Sequence, residues 1–389
     1  MEGRTHMIKS FGILYAGNID FADQGFNGTP ANERNYDNEI LIKPLSTAME
    51  IAQLADNKGF DVLWLAEHHF QREGYECIPN ILMMGLHLAN HTKTLKFGCA
   101  FNILPAWHPL RLAEDYSMAD ILTNGRILFG VGRGYHTREV ETLGSPLLDA
   151  QANRDLFEEQ VEILFHAFND RTFSHKGSNY VLPPEVPYRG YNLNEISLVP
   201  RPINLPVETW QPIVSGNPRG LRFMHKHGIK GLISGVPATT VERNFLAFQQ
   251  TGLEFGRNLQ LGEDLCLGLR FCIAENQKEA VEKATPGYEE SLKFNGPLGF
   301  FMPTLTKEQE TALRDKANTE PPPSIMDGIK DGTWVCGSSE SVIEHLKKIE
   351  SKYPGLEHLM FNIGVGTNKE LFMEQLQIFA ENVIPAFRD

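Results

Sequence analysis

The chain has 389 residues, 41% of them hydrophobic, with a formal net charge of −13 and no dense Lys/Arg block. That length fits two domains or one large α/β barrel, and the acidic balance excludes the electrostatics of a nucleic-acid binder. No stretch approaches the roughly 18 uncharged apolar residues of a membrane span, and five cysteines without CxxC spacing read as reduced, buried thiols of a cytoplasmic protein.

The opening MEGRTHM reads as an expression scar over residues 1–6 ahead of a native Met7, with no signal peptide. FGILYA (11–16) is the first short apolar strand. The Gly- and Asn-rich segment 17–40 is too long for an ordinary connection and is a candidate active-site loop. Leu45, Ala48, Met49, Ala52 and Ala55 fall at helical spacing, and Gly59 suits the helix end. The second strand is DVLWLA (61–66). A helix around 80–90 leads to LKFGCAFNI (95–103), and a helix around 110–122 to RILFGVG (126–132). A helix over 153–168 follows, then a Pro-, Gly- and Asn-rich excursion at 170–208 with room for a hairpin.

The alternation resumes with strand QPIVSG (211–216), a helix near 218–227, strand KGLIS (230–234) and helix 239–251. Strand LCLGLRFCIA (265–274) and helix 277–293 come next. A second long insertion spans about 294–335 and carries Phe300, Phe301 and Pro321 to Pro323, which cannot continue a helix. Helix 338–351, strand HLMFNIG (358–364) and helix 369–384 complete the chain. Eight strand–helix units, with one extra helix, imply a parallel sheet covered by helices and closed as a (β/α)8 TIM barrel in a single domain over 1–389. A doubly wound open sheet is the structural alternative.

Barrel chemistry sits at the carboxyl ends of the strands. Glu67, His68, His69 and Phe70 lie after the second strand; Ala100, Phe101 and Asn102, leading to Trp107, lie at the third. GVGRGYH (130–136) ends the fourth strand but fails GxGxxG, because position 135 is Tyr. Arg133 between glycines suits an anion, or is a solvated turn residue; the pattern leaves both open. SGNPRG (215–220) places backbone N–H groups and Arg219 at a helix start, the geometry of an anion site or of an ordinary cap. His68 and His69 are strand neighbours that point to opposite faces, so they are poor joint metal ligands and no metal site is expected. One histidine serves as an acid/base at neutral pH, or is held by Glu67 as a structural group.

Taken in order, GFDVLWLAEHHF (59–70), TKTLKFGCAFNILPAWHPLRLAEDYSMADILTNGRILFGVGRGYH (92–136) and VCGSSESVIEHL (335–346) resemble the bacterial luciferase-like flavin monooxygenases. The resemblance covers most of the chain outside the first dozen residues and the insertions. It implies a barrel that takes reduced FMN from a separate flavin reductase; O2 adds to the flavin, and the resulting peroxide oxygenates a small organic substrate. By position, His68 would be the acid/base. Arg133, with Gly134 and Tyr135, would meet the flavin phosphate or ring side, and Ser215, Gly216, Asn217, Arg219 and Gly220 would hold phosphate. Ala100, Phe101 and Asn102 would run beside the isoalloxazine, with Ala100–Phe101 a candidate for a non-proline cis peptide. Phe70 and Trp107, with Phe300 and Phe301 of the 294–335 insertion as an active-site lid, would supply an apolar wall. Asn217–Pro218 replaces the Glu-Ser of the luciferases, and Gly132 stands where they can have cysteine, so light emission is not expected. The resemblance also implies a homodimer. A deazaflavin-dependent oxidoreductase and a non-catalytic flavin-binding protein are the rival readings.

Overall fold

The computed structural model describes residues 7–298 and 323–388; Phe300, Phe301 and most of the expected lid therefore lie outside the described residues. Eight parallel strands form the centre: β1 (Ser10–Tyr15), β2 (Val62–Leu65), β3 (Lys96–Cys99), β4 (Ile127–Gly132), β5 (Thr209–Pro212), β6 (Lys230–Ser234), β7 (Leu265–Ile273) and β8 (His358–Asn362). Each pairs with the next in chain order, except that β7 reaches β8 past an intervening short strand. The ring closes because β8 also pairs with β1 (Ser10 opposite His358) and β4 with β5 (Gly130 opposite Trp210). The result is a closed barrel, and the open-sheet alternative is excluded.

Strand alternation assigns each side chain to a face. On β2, Val62 and Trp64 turn into the barrel, where they pack with Leu128, Trp210, Leu232, Cys266 and Met360. Leu63 and Leu65 join the larger outer core beneath the helices. The Trp64 and Trp210 rings meet edge to face at 5.5 Å, the arrangement aromatic quadrupoles favour. Trp64 fits because its neighbours on β1 and β3 are Gly12 and Gly98: a Cβ on Gly12 would stand 2.8 Å from the indole nitrogen, and one on Gly98 would overlap the ring.

The surrounding helices are α1 (Lys43–Lys58), α2 (Ile81–Ala89), α3 (Pro109–Leu122), α4 (Ala150–Asn169), α5 (Pro218–His227), α6 (Ala238–Glu254), α7 (Gln277–Asn295), α8 (Ser339–Lys352) and α9 (Lys369–Ile378). Gly59 ends α1, its N–H donating to the Ala55 carbonyl. Asn80, Asp149, Asn217, Asn276 and Ser338 cap five helix starts with side-chain acceptors, satisfying N–H groups that have no partner inside the helix. No helix of the described residues is long and apolar enough to cross a membrane. All five cysteines are free; Cys77 is half-buried and the others are buried.

Several boundaries differ from the sequence reading. β3 stops at Cys99, and Asn102–Ile103 forms a separate short strand against β4. Between them the Ala100–Phe101 peptide is cis. The excursion 170–208 contains two short hairpins, His175–Lys176 with Val181–Leu182 and Pro187–Tyr188 with Tyr191–Asn192. Helix α7 runs to Asn295, inside the expected insertion, and beyond the undescribed stretch a short helix (Ile325–Asp331) precedes an unexpected strand, Trp334–Gly337. That strand pairs with the outer end of β7 (Arg270 opposite Trp334), so part of the insertion extends the sheet. The segment 17–40 packs against α7 through buried Arg34. Its guanidinium pairs with Glu290 at 3.1 Å and Asp23 at 2.8 Å and donates to the Tyr75 hydroxyl. A buried charge needs such partners, and they direct this segment's polar groups to packing: none of residues 17–40 lines the cavity at the strand ends.

Candidate active site

A cavity of about 410 Å³ opens at the carboxyl ends of the strands, within the size range of cofactor and small-molecule sites. Its first wall is built from β2 and β4. Where β2 ends, the chain turns with His68 and Glu67 at the cavity and His69 directed elsewhere: His69 Nε2 lies 3.3 Å from Glu67 Oε1. Glu67 Oε1 also accepts from Trp107 Nε1 at 2.9 Å, tying the two strand ends together.

His68 is 6% exposed and stands between two carboxylates. Its Nδ1 is 3.2 Å from Glu139 Oε2, and its Nε2 is 3.3 Å from Glu76 Oε1 and 3.4 Å from the Tyr135 hydroxyl. Burial pulls the imidazole pKa down, but Glu76, Glu139 and Glu67 outweigh it and hold His68 at about 9. Glu139 responds in kind: burial raises it, yet the hydrogen bond and charge of His68, with His136 and Gln71, bring it to about 2. The pair is therefore an imidazolium and a carboxylate at neutral pH. Burial and the carboxylates of Glu76 and Glu139 push Tyr135 well up, so its phenol stays protonated.

His68, His136 and Glu139 also bring three ligand-type atoms within 4.8 Å. The metal partner of His68 would thus be His136, not the adjacent His69 weighed from the sequence. Both ring nitrogens of His68 face carboxylates.

The second wall comes from β4, α4 and the start of α5. Arg133 Nη1 donates to Asn153 Oδ1 at 3.2 Å, while Asn153 returns a hydrogen bond to the Arg133 carbonyl. Burial lowers the Arg133 pKa and nearby Arg154 pushes the same way, while Glu158 opposes them; two neighbouring cations of this kind suit an anion between them. Gly134 follows at φ 79°, and a Cβ there would press on Val140. At α5, Pro218 has no N–H, and that of Arg219 is taken by Asn217 Oδ1 at 3.0 Å. The N–H of Gly220 remains, at the cavity wall.

Of the residues singled out from the sequence, His68, Ala100, Phe101, Arg133, Gly134 and Tyr135 come together around this cavity, joined by Ser215, Gly216, Asn217 and Gly220. Others do not line it. Arg219 turns outward, because Asp155 at 2.7 Å and Glu158 at 2.6 Å hold its guanidinium on the exposed side of α4. Asn102 is fully buried and donates to the Gly130 carbonyl at 2.8 Å, bracing β3 against β4. Trp107 is committed to Glu67, and Phe70 is half-exposed outside the cavity.

Sequence reasoning missed Arg154, Glu76, Glu139, Gln211 and Arg270. Arg154 sits in an acidic helix and reads as a solvated ion pair. Glu76 and Glu139 lie in a loop and a short helix, and only the third dimension brings them to His68.

A model of the luciferase-like monooxygenase family matches residues 22–354. The chain belongs to this family. It is a flavin-dependent oxidoreductase of the monooxygenase type. Over 365 residues it is 23% identical to the oxygenase component of the flavin-dependent trigonelline monooxygenase of Acinetobacter baylyi, covering 92% of this chain and 94% of that one. A shorter match, 34% over 154 residues, covers 40% of this chain and 42% of the uncharacterised protein y4vJ of Sinorhizobium fredii. Among solved structures, the oxygenating constituent of 3,6-diketocamphane monooxygenase from Pseudomonas putida, in complex with FMN, superposes with a TM-score of 0.70. The two are 17% identical, over 97% of this chain and 98% of that one, a likeness of fold. The cavity lies where barrel enzymes carry their chemistry, at the carboxyl ends of the strands.

Proposed function

We propose that the protein uses reduced FMN and O2 to oxygenate a small organic substrate, with His68 as the acid/base and a separate reductase supplying the flavin. The single observation that carries the reading is the placement of His68. This residue is buried between Glu76 and Glu139 at one wall of a cavity whose other wall holds Arg133, Arg154 and the start of α5.

The residues fit FMN. Arg133, Arg154 and the Gly220 N–H converge as a phosphate would require, Phe101 and Ala100 offer an apolar face, and Gln211 Oε1 is a buried cavity-lining acceptor with no hydrogen-bond partner among the described residues. When bound, reduced FMN supplies the electrons and the ring at which O2 is activated. The protein's own part is to exclude water, orient the ring and manage one proton. His68 carries that proton on Nε2, toward the cavity side where Glu76 and Tyr135 also reach. Glu139 behind it fixes the ring and stabilises the charged form. The name of the A. baylyi relative, an oxygenase component, supports a two-component arrangement; a homodimer in the cytoplasm completes the reading, and sedimentation checks the dimer.

The test is to bind reduced FMN anaerobically, admit O2 and follow the flavin spectrum. The expected result is saturable binding of reduced FMN, with a re-oxidation course that differs from that of free flavin. Failure to bind reduced FMN, with tight binding of a deazaflavin instead, would overturn it.

A further inference from the structure

The third wall of the cavity, β6 to β8 with α7, carries a charge the reading above leaves unused. Arg270 projects from β7 into the cavity lining. Its Nε is inaccessible to solvent and unpartnered, and the guanidinium has no ion pair or hydrogen bond among the described residues. The guanidinium occupies space that a side chain on the neighbouring β6 end would take. A Cβ on Gly235, at φ 69°, would lie 2.9 Å from its Nη2. Asn362 is its register partner on β8, and Ser234, Ser291 and Asn295 line the same cavity. Asn362 spends its Oδ1 on the Gly364 N–H at 2.8 Å, which leaves its amide as a donor.

Two other deeply placed charges each have an opposite charge in contact: Arg34 with Glu290 and Asp23, His68 with Glu139 and Glu76. Arg270 is half-buried, an unpaired cation with restricted access to water is costly, and a planar fork among neutral donors matches a carboxylate held by two parallel hydrogen bonds. The site is also electrostatically separate from the phosphate wall. Arg133 feels Arg154, Glu158 and Arg219, whereas the groups acting on Arg270 are the carboxylate of Asp331 and the neutral phenol of Tyr288.

We infer that Arg270, with Asn362 and Ser234 beside it, is the binding site for a carboxylate on the substrate, so that the protein acts on a small organic acid. The inference rests on the flavin reading for what shares the cavity. The carboxylate anchors one end of the substrate on β7 and leaves the rest of it facing His68 across the cavity.

Benzoate and its uncharged counterpart benzamide are the probes, titrated calorimetrically into wild-type, Arg270→Gln and Arg270→Lys protein, with and without FMN. A charge-assisted pair contributes about 1.5–3 kcal/mol, so the wild type should prefer benzoate by about 10- to 100-fold. Arg270→Gln should erase that preference, Arg270→Lys should retain part of it, and FMN affinity should stay within about twofold in both. Equal binding of the two probes by the wild type, a preference that survives Arg270→Gln, or a loss of FMN affinity matching the loss of benzoate affinity would overturn the assignment. Should FMN fail to bind while the benzoate preference persists in the flavin-free protein, the carboxylate site stands and the flavin reading falls.

Discussion

Two walls of one cavity handle charge in opposite ways. On the β2–β4 wall, His68 lies within 3.3 Å of the Glu76 and Glu139 carboxylates, and His136 within 3.3 Å of Glu76. On the β6–β8 wall, Arg270 makes no ion pair among the described residues, and its Nε is unpartnered. Self-paired groups keep a proton in place without a ligand, which suits catalysis. An unpaired charge has nothing to hold until a ligand supplies it, which suits recognition. The contrast assigns the proton to His68 and the substrate anchor to Arg270.

The sharpest way to break the contrast is to remove the proton. His68→Ala should lower oxygenation by about 10²- to 10⁴-fold, read as product per flavin oxidised, while reduced-FMN binding stays within about twofold. If turnover survives in folded protein, the first wall has another purpose.

Loss of an anion partner at the second wall comes next in size. Arg133→Ala should weaken FMN by about 10- to 100-fold, the worth of a charge-assisted hydrogen bond, and leave riboflavin unchanged. An undiminished preference for FMN would remove phosphate from that wall.

Neutralising a carboxylate tests why His68 is charged. The folded pKa of His68 lies near 9, above its ordinary value of about 6.5. Its ion pair therefore stabilises the fold fully below about 6.5, and that contribution is lost as pH rises through 9. Activity that needs the proton should fall over the same alkaline range. Glu139→Gln should move that alkaline limb toward neutral pH in the rate profile; an unmoved limb would show that Glu139 does not set it.

The smallest expected effect concerns the adjacent histidine. His69→Ala removes the contacts to Glu67 and the Phe70 ring and should change turnover by no more than about twofold, with a stability loss of about 1 kcal/mol. A loss comparable to that of His68→Ala would mean that both faces of β2 serve the chemistry.

The sequence made some of this legible and hid the rest for physical reasons. Most strands announced themselves because parallel strands buried on both faces are continuous apolar runs such as LWLA and ILFGVG, whereas β5, read at 211–216, forms at Thr209–Pro212. His68 and Arg133 were visible because a strand that ends in a polar group inside a barrel can direct it only to the mouth. Glu76 and Glu139 were not, since their partner is 8 residues away across a loop in one case and 71 in the other. Arg219 misled because its neighbours look like a phosphate turn, while the acids that capture it, Asp155 and Glu158, lie one α4 turn apart and more than 60 residues upstream. Arg270 hid inside LCLGLRFCIA, where one cation in an apolar strand gives no sign of which face it takes.

The central claim is that His68 is an imidazolium in the resting protein. NMR titration of the histidine ring signals, with His68→Gln identifying the resonance, measures it directly. The expected midpoint is near 9, falling in Glu139→Gln; a midpoint at or below the ordinary value of about 6.5 would contradict it.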